Sequence, residues 1–365
     1  MRAFYGWVLK PIFFRLDPEI AHGCMTAVGR FLGNHTITKK LTKGFFGYSH
    51  PSLHQIVLGI NFPNPIGLAA GFDKNAVLVG IIPSVGFGFM EVGSATGEPC
   101  EGNPKPRLWR LKKSQSLVVY YGLKNDGCEV VASRLCGKQV SIPVGISIAM
   151  TNCKETADTA RGIEDYFKAY HSLVGLGDYV TINISCPNAF GGQAFVDSER
   201  LGALLDRLAS IPKTKPLFLK LSPELDDKEA IDAIINTALG RGIDGFICSN
   251  LTKNRRNPKI IDDVVSDKGG LSGKVLTDLS DEMIRYVYRK TAGRAVIIGC
   301  GGVFTAEDAY KKIRAGASLI QLITGMIFEG PQVISEINMG LAKLIERDGF
   351  KTISEAVGAD NKIII

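Results

Sequence analysis

The stretch Pro65-Ile66-Gly67-Leu68-Ala69-Ala70-Gly71-Phe72-Asp73-Lys74 begins as a short apolar run and ends in glycine and charge. A short apolar run closed by a turn signal reads as a strand buried on both faces, with its polar end facing a site. Further runs of the same kind follow at Phe89–Gly93, Pro143–Ile148, Tyr179–Ile184, Pro216–Leu221, Asp244–Ser249, Ala295–Gly299 and Ser318–Ile323, and the first run itself spans Pro65–Ala70. Asp158–Leu176, Ser198–Ser210, Asp227–Arg241, Asp278–Thr291 and Thr305–Ala315 carry apolar residues near helical spacing. Thr305 and Asp278 are the expected N-caps of their helices. Eight strands alternating with helices predict an α/β protein, a closed (β/α)8 TIM barrel. A doubly wound open sheet would need G-x-G-x-x-G after the first strand, and Gly67-Leu68-Ala69-Ala70-Gly71 does not supply it.

The chain has 365 residues. One barrel accounts for about 250 of them, leaving roughly 115 to be placed outside it. At 45% hydrophobic and 22% charged, the composition excludes a disordered or collagen-like chain. The 41 glycines exceed the usual share of about 7% and predict places where backbone approaches something closely. The net charge of +7 suits an anionic ligand or membrane surface. Nucleic-acid binding is not expected, because Lys112-Lys113 and Arg255-Arg256 are the densest basic runs. None of the eight cysteines forms a C-x-x-C pair and the five histidines are scattered, which argues against structural zinc. Dispersed cysteines in a large apolar chain fit a reducing compartment. No apolar run reaches the ~18 residues of a membrane span. Secretion is not expected either, since no small-residue cleavage site follows an apolar core.

Residues 1–48 stand apart from the strand–helix pattern. Phe4, Trp7, Val8, Ile12, Phe13 and Phe14 cluster with Lys10 and Arg15 interspersed. Asp17-Pro18-Glu19 starts a second helix carrying Ile20, Met25, Val28, Phe31 and Leu32. This N-terminal helical extension reads either as a cap on the barrel or as an interfacial membrane anchor. Residues 49–365 are the expected barrel domain.

Barrel chemistry sits at the C-terminal ends of the strands. Those ends here carry Ala70 and Gly71, Ser94, Ser147, Asn183, Lys220, Ser249 with Asn250, the run Gly299–Gly302, and Thr324. Gly301 and Gly302, followed by a helix start at Thr305, form a natural phosphate cradle, and Gly269–Gly273 adds a second glycine-rich loop. Glycine also serves simple turns, but three such sets on one barrel face point to a phosphorylated ligand, and without a nucleotide domain FMN is a candidate. Lys220 ends an otherwise apolar strand and needs a partner. That partner is either a structural carboxylate or a flavin ring whose reduced anion the lysine stabilises. Lys74 is either a surface lysine at a helix start or a contact for an acidic substrate. Cys186, between Ser185 and Pro187 and flanked by Asn183 and Asn188, is placed to serve as base or nucleophile. Most cysteines are inert small hydrophobes.

Together these residues resemble the dihydroorotate dehydrogenase family over nearly the whole chain. The matching stretches are 64–74, Gly102-Asn103-Pro104-Lys105-Pro106-Arg107, Asn183-Ile184-Ser185-Cys186-Pro187-Asn188, Gly270-Leu271-Ser272-Gly273 and Gly299–Gly302. Leu16-Asp17-Pro18-Glu19-Ile20-Ala21-His22 is similar to the membrane-associated, quinone-using class. The resemblance implies FMN at the barrel mouth and proton removal from C5 of dihydroorotate by Cys186. Hydride then passes from C6 to flavin N5, and quinone reoxidises the flavin. It implies that Ala70, Gly71, Ser94, Ser147, Asn183, Lys220, Ser249, Gly273, Gly301, Gly302 and Thr324 hold FMN. Lys74, Asn183, Asn188 and Asn250 would hold dihydroorotate or orotate, and Arg110 matches a quinone-site arginine. The two N-terminal helices would lie on the cytoplasmic side of the cell membrane, as a peripheral contact, and form a quinone tunnel. The residues do not fix oligomeric state; a monomer is the expectation.

Several positions depart from the pattern. Cysteine at 186 and Leu123 are typical of the soluble class, whereas the quinone class has serine and phenylalanine there. Val119 stands where both classes place a substrate-binding asparagine. Leu251 replaces a hydroxyl residue, Ser147 an asparagine and Ile323 a tyrosine, and Ala149-Met150-Thr151-Asn152 lacks the usual Gly-Lys-Asn. Each unpaired substrate group costs about 1–3 kcal/mol unless Tyr120, Tyr121 or Lys124 substitutes. Two alternatives therefore stand beside dihydroorotate oxidation. One is a related FMN oxidoreductase acting on a different cyclic ene or amide, and the other is a flavin-binding scaffold without turnover.

Overall fold

The computed structural model describes residues 2–190, 192–224 and 226–361. Eight parallel strands close into a barrel. They are β1 (Ile66–Leu68), β2 (Phe89–Ala95), β3 (Val144–Ile148), β4 (Tyr179–Asn183), β5 (Leu217–Lys220), β6 (Gly245–Cys248), β7 (Val296–Cys300) and β8 (Leu319–Leu322). Neighbours in sequence are neighbours in the barrel, and β8 closes on β1.

The barrel floor shows why these residues close a barrel. Gly67 is registered against Phe89, Gly145 against Tyr179 and Gly245 against Phe218. A Cβ on any of these three glycines would overlap the ring beside it. The missing side chains make the room that the aromatic rings fill, so part of the glycine excess belongs to packing and not to a ligand. Phe62, from the antiparallel hairpin Gln55–Val57/Ile60–Phe62, plugs the bottom edge-to-face on Phe89 at 5.4 Å. Above the rings lies a polar layer in which Thr181 and Gln321 each donate to Glu91 Oε2 at 3.0 Å.

Four of the outer helices carry side-chain caps. Asp158, Asp197 and Asp227 accept the backbone N–H groups of Arg161, Arg200 and Ala230, and Thr305 makes a reciprocal capping box with Asp308. Asp278 is not an N-cap. The 3-10 turn Lys274–Leu276 runs directly into helix Thr277–Lys290, so Asp278 lies within the first turn and pairs with Lys259 at 2.7 Å.

The residues outside the barrel cover its mouth and one flank. Leu108–Leu111 and Ser116–Val119, inserted after β2, pair with Gly270–Gly273, inserted after β6, in a three-stranded antiparallel sheet. The β1–β2 connection carries only the 3-10 turn Ile82–Val85, and the N-terminal helix Thr36–Phe46 packs against it. Helix Pro18–Gly33, capped by Asp17, meets the same connection where Gly33 and Gly80 bring two backbones together. The outward faces of this extension leave Trp7 85%, Phe31 62%, Ile37 74% and Phe45 65% exposed.

Candidate active site at the barrel mouth

A cleft of about 1270 Å³, including its open mouth, lies over the strand ends. Ala70, Gly71, Lys74, Ser94, Asn183, Cys186, Asn188, Lys220, Ser249, Asn250, Gly273, Gly301, Gly302 and Thr324 all line it. Ser147 sits one layer deeper, fully buried, with its hydroxyl 2.7 Å from that of Ser94. Arg110 lies outside the cleft, where it donates to the Leu16 carbonyl at 2.8 Å and covers the Phe14 ring at 4.8 Å.

The floor is a continuous hydrogen-bonded set. Asn183 donates from Nδ2 to Ser94 Oγ at 2.9 Å and accepts Asn250 Nδ2 at Oδ1 at 3.1 Å. Lys220 is 5% exposed. Among the described residues no carboxylate pairs with its ammonium, so the structural ion pair left open by the sequence is not found there. An almost buried lysine without a protein partner turns its charge toward the cleft.

Cys186 follows β4 on a tight loop. Burial pushes its thiol up to about 11, while the Asn188 backbone N–H and the charge of Lys220 pull it down. Asn188 donates from Nδ2 to the Val119 carbonyl at 2.9 Å, and its buried Oδ1 has no partner among the described residues. Lys74 holds its ammonium 4.0 Å over the Tyr121 ring. Burial lowers Lys74 to about 8, against the opposing pull of Asp73 and Glu19.

The cradle end has the geometry of an anion site. Gly301 and Gly302 adopt φ of +122° and +69°, and their N–H groups donate to no acceptor among the described residues. Thr324 begins the short helix after β8, with its hydroxyl 2.9 Å from that of Ser272. At the opposite end Gly71 has φ +105° and open space where a Cβ would lie. Free amides at one end, an unpaired ammonium on the floor and room beside Gly71 fit a planar ligand with a phosphate tail such as FMN.

One further lining residue, His22, was not assigned a site role in the sequence. His22, from helix Pro18–Gly33, bonds the Phe72 carbonyl at 2.9 Å, and burial lowers its imidazole to about 4. Tyr121 and Lys124 reach the cleft, whereas Tyr120 does not line it. Val119, Leu123, Leu251 and Ile323 also face the cleft. Asn152 instead ties the mouth loops together, donating to Gly122 O and Asn103 Oδ1 at 3.1 Å each.

A parallel barrel with free amides after β7 and an unpaired lysine ending β5 has the layout of a barrel enzyme with room for a phosphate-bearing ligand at its mouth. Residues 52–345 match the family model described as dihydroorotate dehydrogenase, and the chain belongs to this flavin-dependent oxidoreductase family. A dihydroorotate dehydrogenase (quinone) of Natronomonas pharaonis is 39% identical over 97% of this chain and 98% of its own. The protein of that name from Gloeobacter violaceus is 38% identical over 96% and 97%. The crystal structure of an Eimeria tenella DHODH in complex with ferulenol superposes with a TM-score of 0.83, at 30% identity over 95% of this chain and 96% of that one.

Proposed function

We propose that this chain oxidises dihydroorotate to orotate with FMN, in de novo pyrimidine biosynthesis, and passes the electrons to a quinone. The observation that carries this reading is the unpaired, almost buried Lys220 in one cleft with the free amides of Gly301–Gly302 and the thiol of Cys186. Bound there, FMN supplies a hydride acceptor for C6 and a relay of electrons to quinone.

The protein's own share is positioning and proton transfer. Gly301 and Gly302 bind the phosphate with their N–H groups, and Lys220 supplies positive charge to the ring. Asn183, Asn188 and Asn250 hydrogen-bond the pyrimidine, and Lys74 meets its carboxylate. Cys186 takes the C5 proton as thiolate. Lys220 and the Asn188 N–H favour that ionisation against burial.

For the acceptor side, the exposed apolar faces of the N-terminal helices support docking on a membrane as a peripheral contact at the cytoplasmic face. Among the described residues no helix is long and apolar enough to cross a membrane. His22, Leu108 and Ile327 line the cleft beside these helices, where a quinone would approach.

Anaerobic mixing with dihydroorotate tests the reading. The visible flavin absorbance is expected to bleach in a single turnover; a coloured protein left unbleached at ~1 mM substrate, the upper end of usual KM values, sinks it. That second result would favour another cyclic ene or amide. Val119 and Leu251, apolar residues on the wall where the resemblance places polar ones, speak for that substrate class.

A further inference from the structure

Lys312 is a buried charge that the proposed reaction does not use. It lies on helix Ala306–Arg314, the helix that follows the Gly301–Gly302 loop, and its side chain is fully buried. Its ammonium is 2.6 Å from Asp281 Oδ1 and donates to the Thr277 carbonyl at 3.4 Å. Asp281 is itself 4% exposed, and its other oxygen meets Lys311 at 2.8 Å. Two lysines share this one carboxylate, so Asp281 is not given over to Lys312 alone.

The cluster is linked to the cradle. Thr277 donates its hydroxyl to the Lys274 carbonyl at 2.9 Å, with the Gly302 carbonyl at 3.4 Å from the same oxygen, and a side chain on Gly302 would overlap Thr277. Ser280, on the same helix, donates to the carbonyl of Cys300 at 2.9 Å and to that of Cys248 at 3.2 Å, the ends of β7 and β6. The charge of Lys312 also reaches the thiols of Cys300 and Cys248, where it opposes the effect of burial. A buried ion pair seldom stabilises a fold better than apolar side chains of the same volume. Here the pair lies behind the Gly301–Gly302 loop, and its lysine acts on the thiol that ends β7.

We propose that Lys312, held by Asp281 and Thr277, is a positioning residue for the phosphate. It fixes the Gly301–Gly302 loop from behind and lends those amides a buried positive charge. This rests on the reading that an FMN phosphate occupies the cradle.

The test compares two flavins that differ by that phosphate. Bound flavin in the full-length protein is exchanged against FMN and against riboflavin, and the ratio of the two affinities is read. Lys312→Met is expected to shrink the preference for FMN roughly tenfold, in line with a partly buried charge at an anion site, while riboflavin affinity stays within about twofold. Should that variant not fold, Lys312→Met/Asp281→Leu replaces the pair by apolar groups and leaves Lys311 screened in solvent; it is expected to fold and to show a selective loss in the same direction, smaller because the negative charge of Asp281 leaves with the lysine. Equal weakening of both flavins, or no change in the ratio, overturns the proposal and leaves the pair as a helix clasp. A wild-type protein that does not prefer FMN over riboflavin overturns it too, by removing the phosphate from the cradle.

Discussion

The floor and the roof of the cleft are built by different parts of the chain. The floor comes from strand ends, and its polar groups are locked to one another: Ser94 to Ser147, Asn183 to Ser94, Asn250 to Asn183. The roof comes from the inserted three-stranded sheet and helix Pro18–Gly33, and much of it is apolar: Leu108, Leu117 and Val119. Strand ends cannot move without opening the barrel, whereas inserted segments vary without cost to it. The contrast assigns chemistry to the floor and the choice of substrate and acceptor to the roof.

Substitutions on the floor should have the largest effects. Cys186→Ala is expected to slow flavin reduction by about 10²–10⁴-fold, the usual worth of a general base, with FMN still bound. Stopped-flow reduction at unchanged flavin content measures this, and wild-type rates would remove Cys186 from the role. The pH dependence has a fixed sign. Burial raises the thiol to about 11, so the thiolate fraction, and the rate with it, climbs with pH through the neutral range and levels only near that value. Lys74 gives the opposite limb: its charge is full well below about 8 and fades above it, so KM for an acidic substrate should rise there. Next in size, Lys220→Met is expected to cost about 10²-fold in reduction rate, as for loss of one charge-stabilising donor. Unchanged rates would mean that the floor charge does not act on the reaction.

The join between roof and barrel is the next place to press. Arg107, 5% exposed, is paired with Glu19 of helix Pro18–Gly33 at 2.7 Å. Its guanidinium also holds the carbonyls of Glu101 and Asn103. That pairing holds the Glu19 carboxyl below its ordinary range. Glu19→Gln should lower stability by about 1–3 kcal/mol, since it leaves a buried charge unpaired, and should depress quinone turnover more than flavin reduction. Thermal unfolding together with the two half-reactions reads both. Deleting residues 1–40 is a blunter experiment, because it strips both Glu19 from Arg107 and His22 from the cleft wall.

The floor was the more legible region, for a physical reason. Strands buried on both faces spell continuous apolar runs, so a charge such as Lys220 at the end of one stands out. Register is not spelled out, and the pairing of Gly67, Gly145 and Gly245 with aromatic rings emerges only when strands meet. That pairing takes up glycines that composition alone assigned to ligand approach. Lys312 was hidden for a related reason: within Thr305–Ala315 it reads as one more polar helix residue, and only packing against Asp281 reveals a buried charge. His22 comes from the roof, where position depends on how separate segments dock, and no local pattern announces its place on the cleft wall.

The smallest expected effect tests the roof's claim to specificity. Val119 presents its carbonyl to Asn188 and its side chain to the cleft, while Asn188 Oδ1 stays without a partner among the described residues. Val119→Asn adds a donor and an acceptor there without touching the floor. If dihydroorotate is the substrate, its polar edge gains a hydrogen bond worth about 0.5–1.5 kcal/mol, and KM should fall a few-fold while the limiting rate of flavin reduction stays put. A fall in that rate with KM unchanged would show that position 119 acts on the floor's chemistry, and the division between the two regions would be wrong. A rise in KM would mean that the natural substrate uses the apolar wall, which points to a ring with an apolar edge at that position.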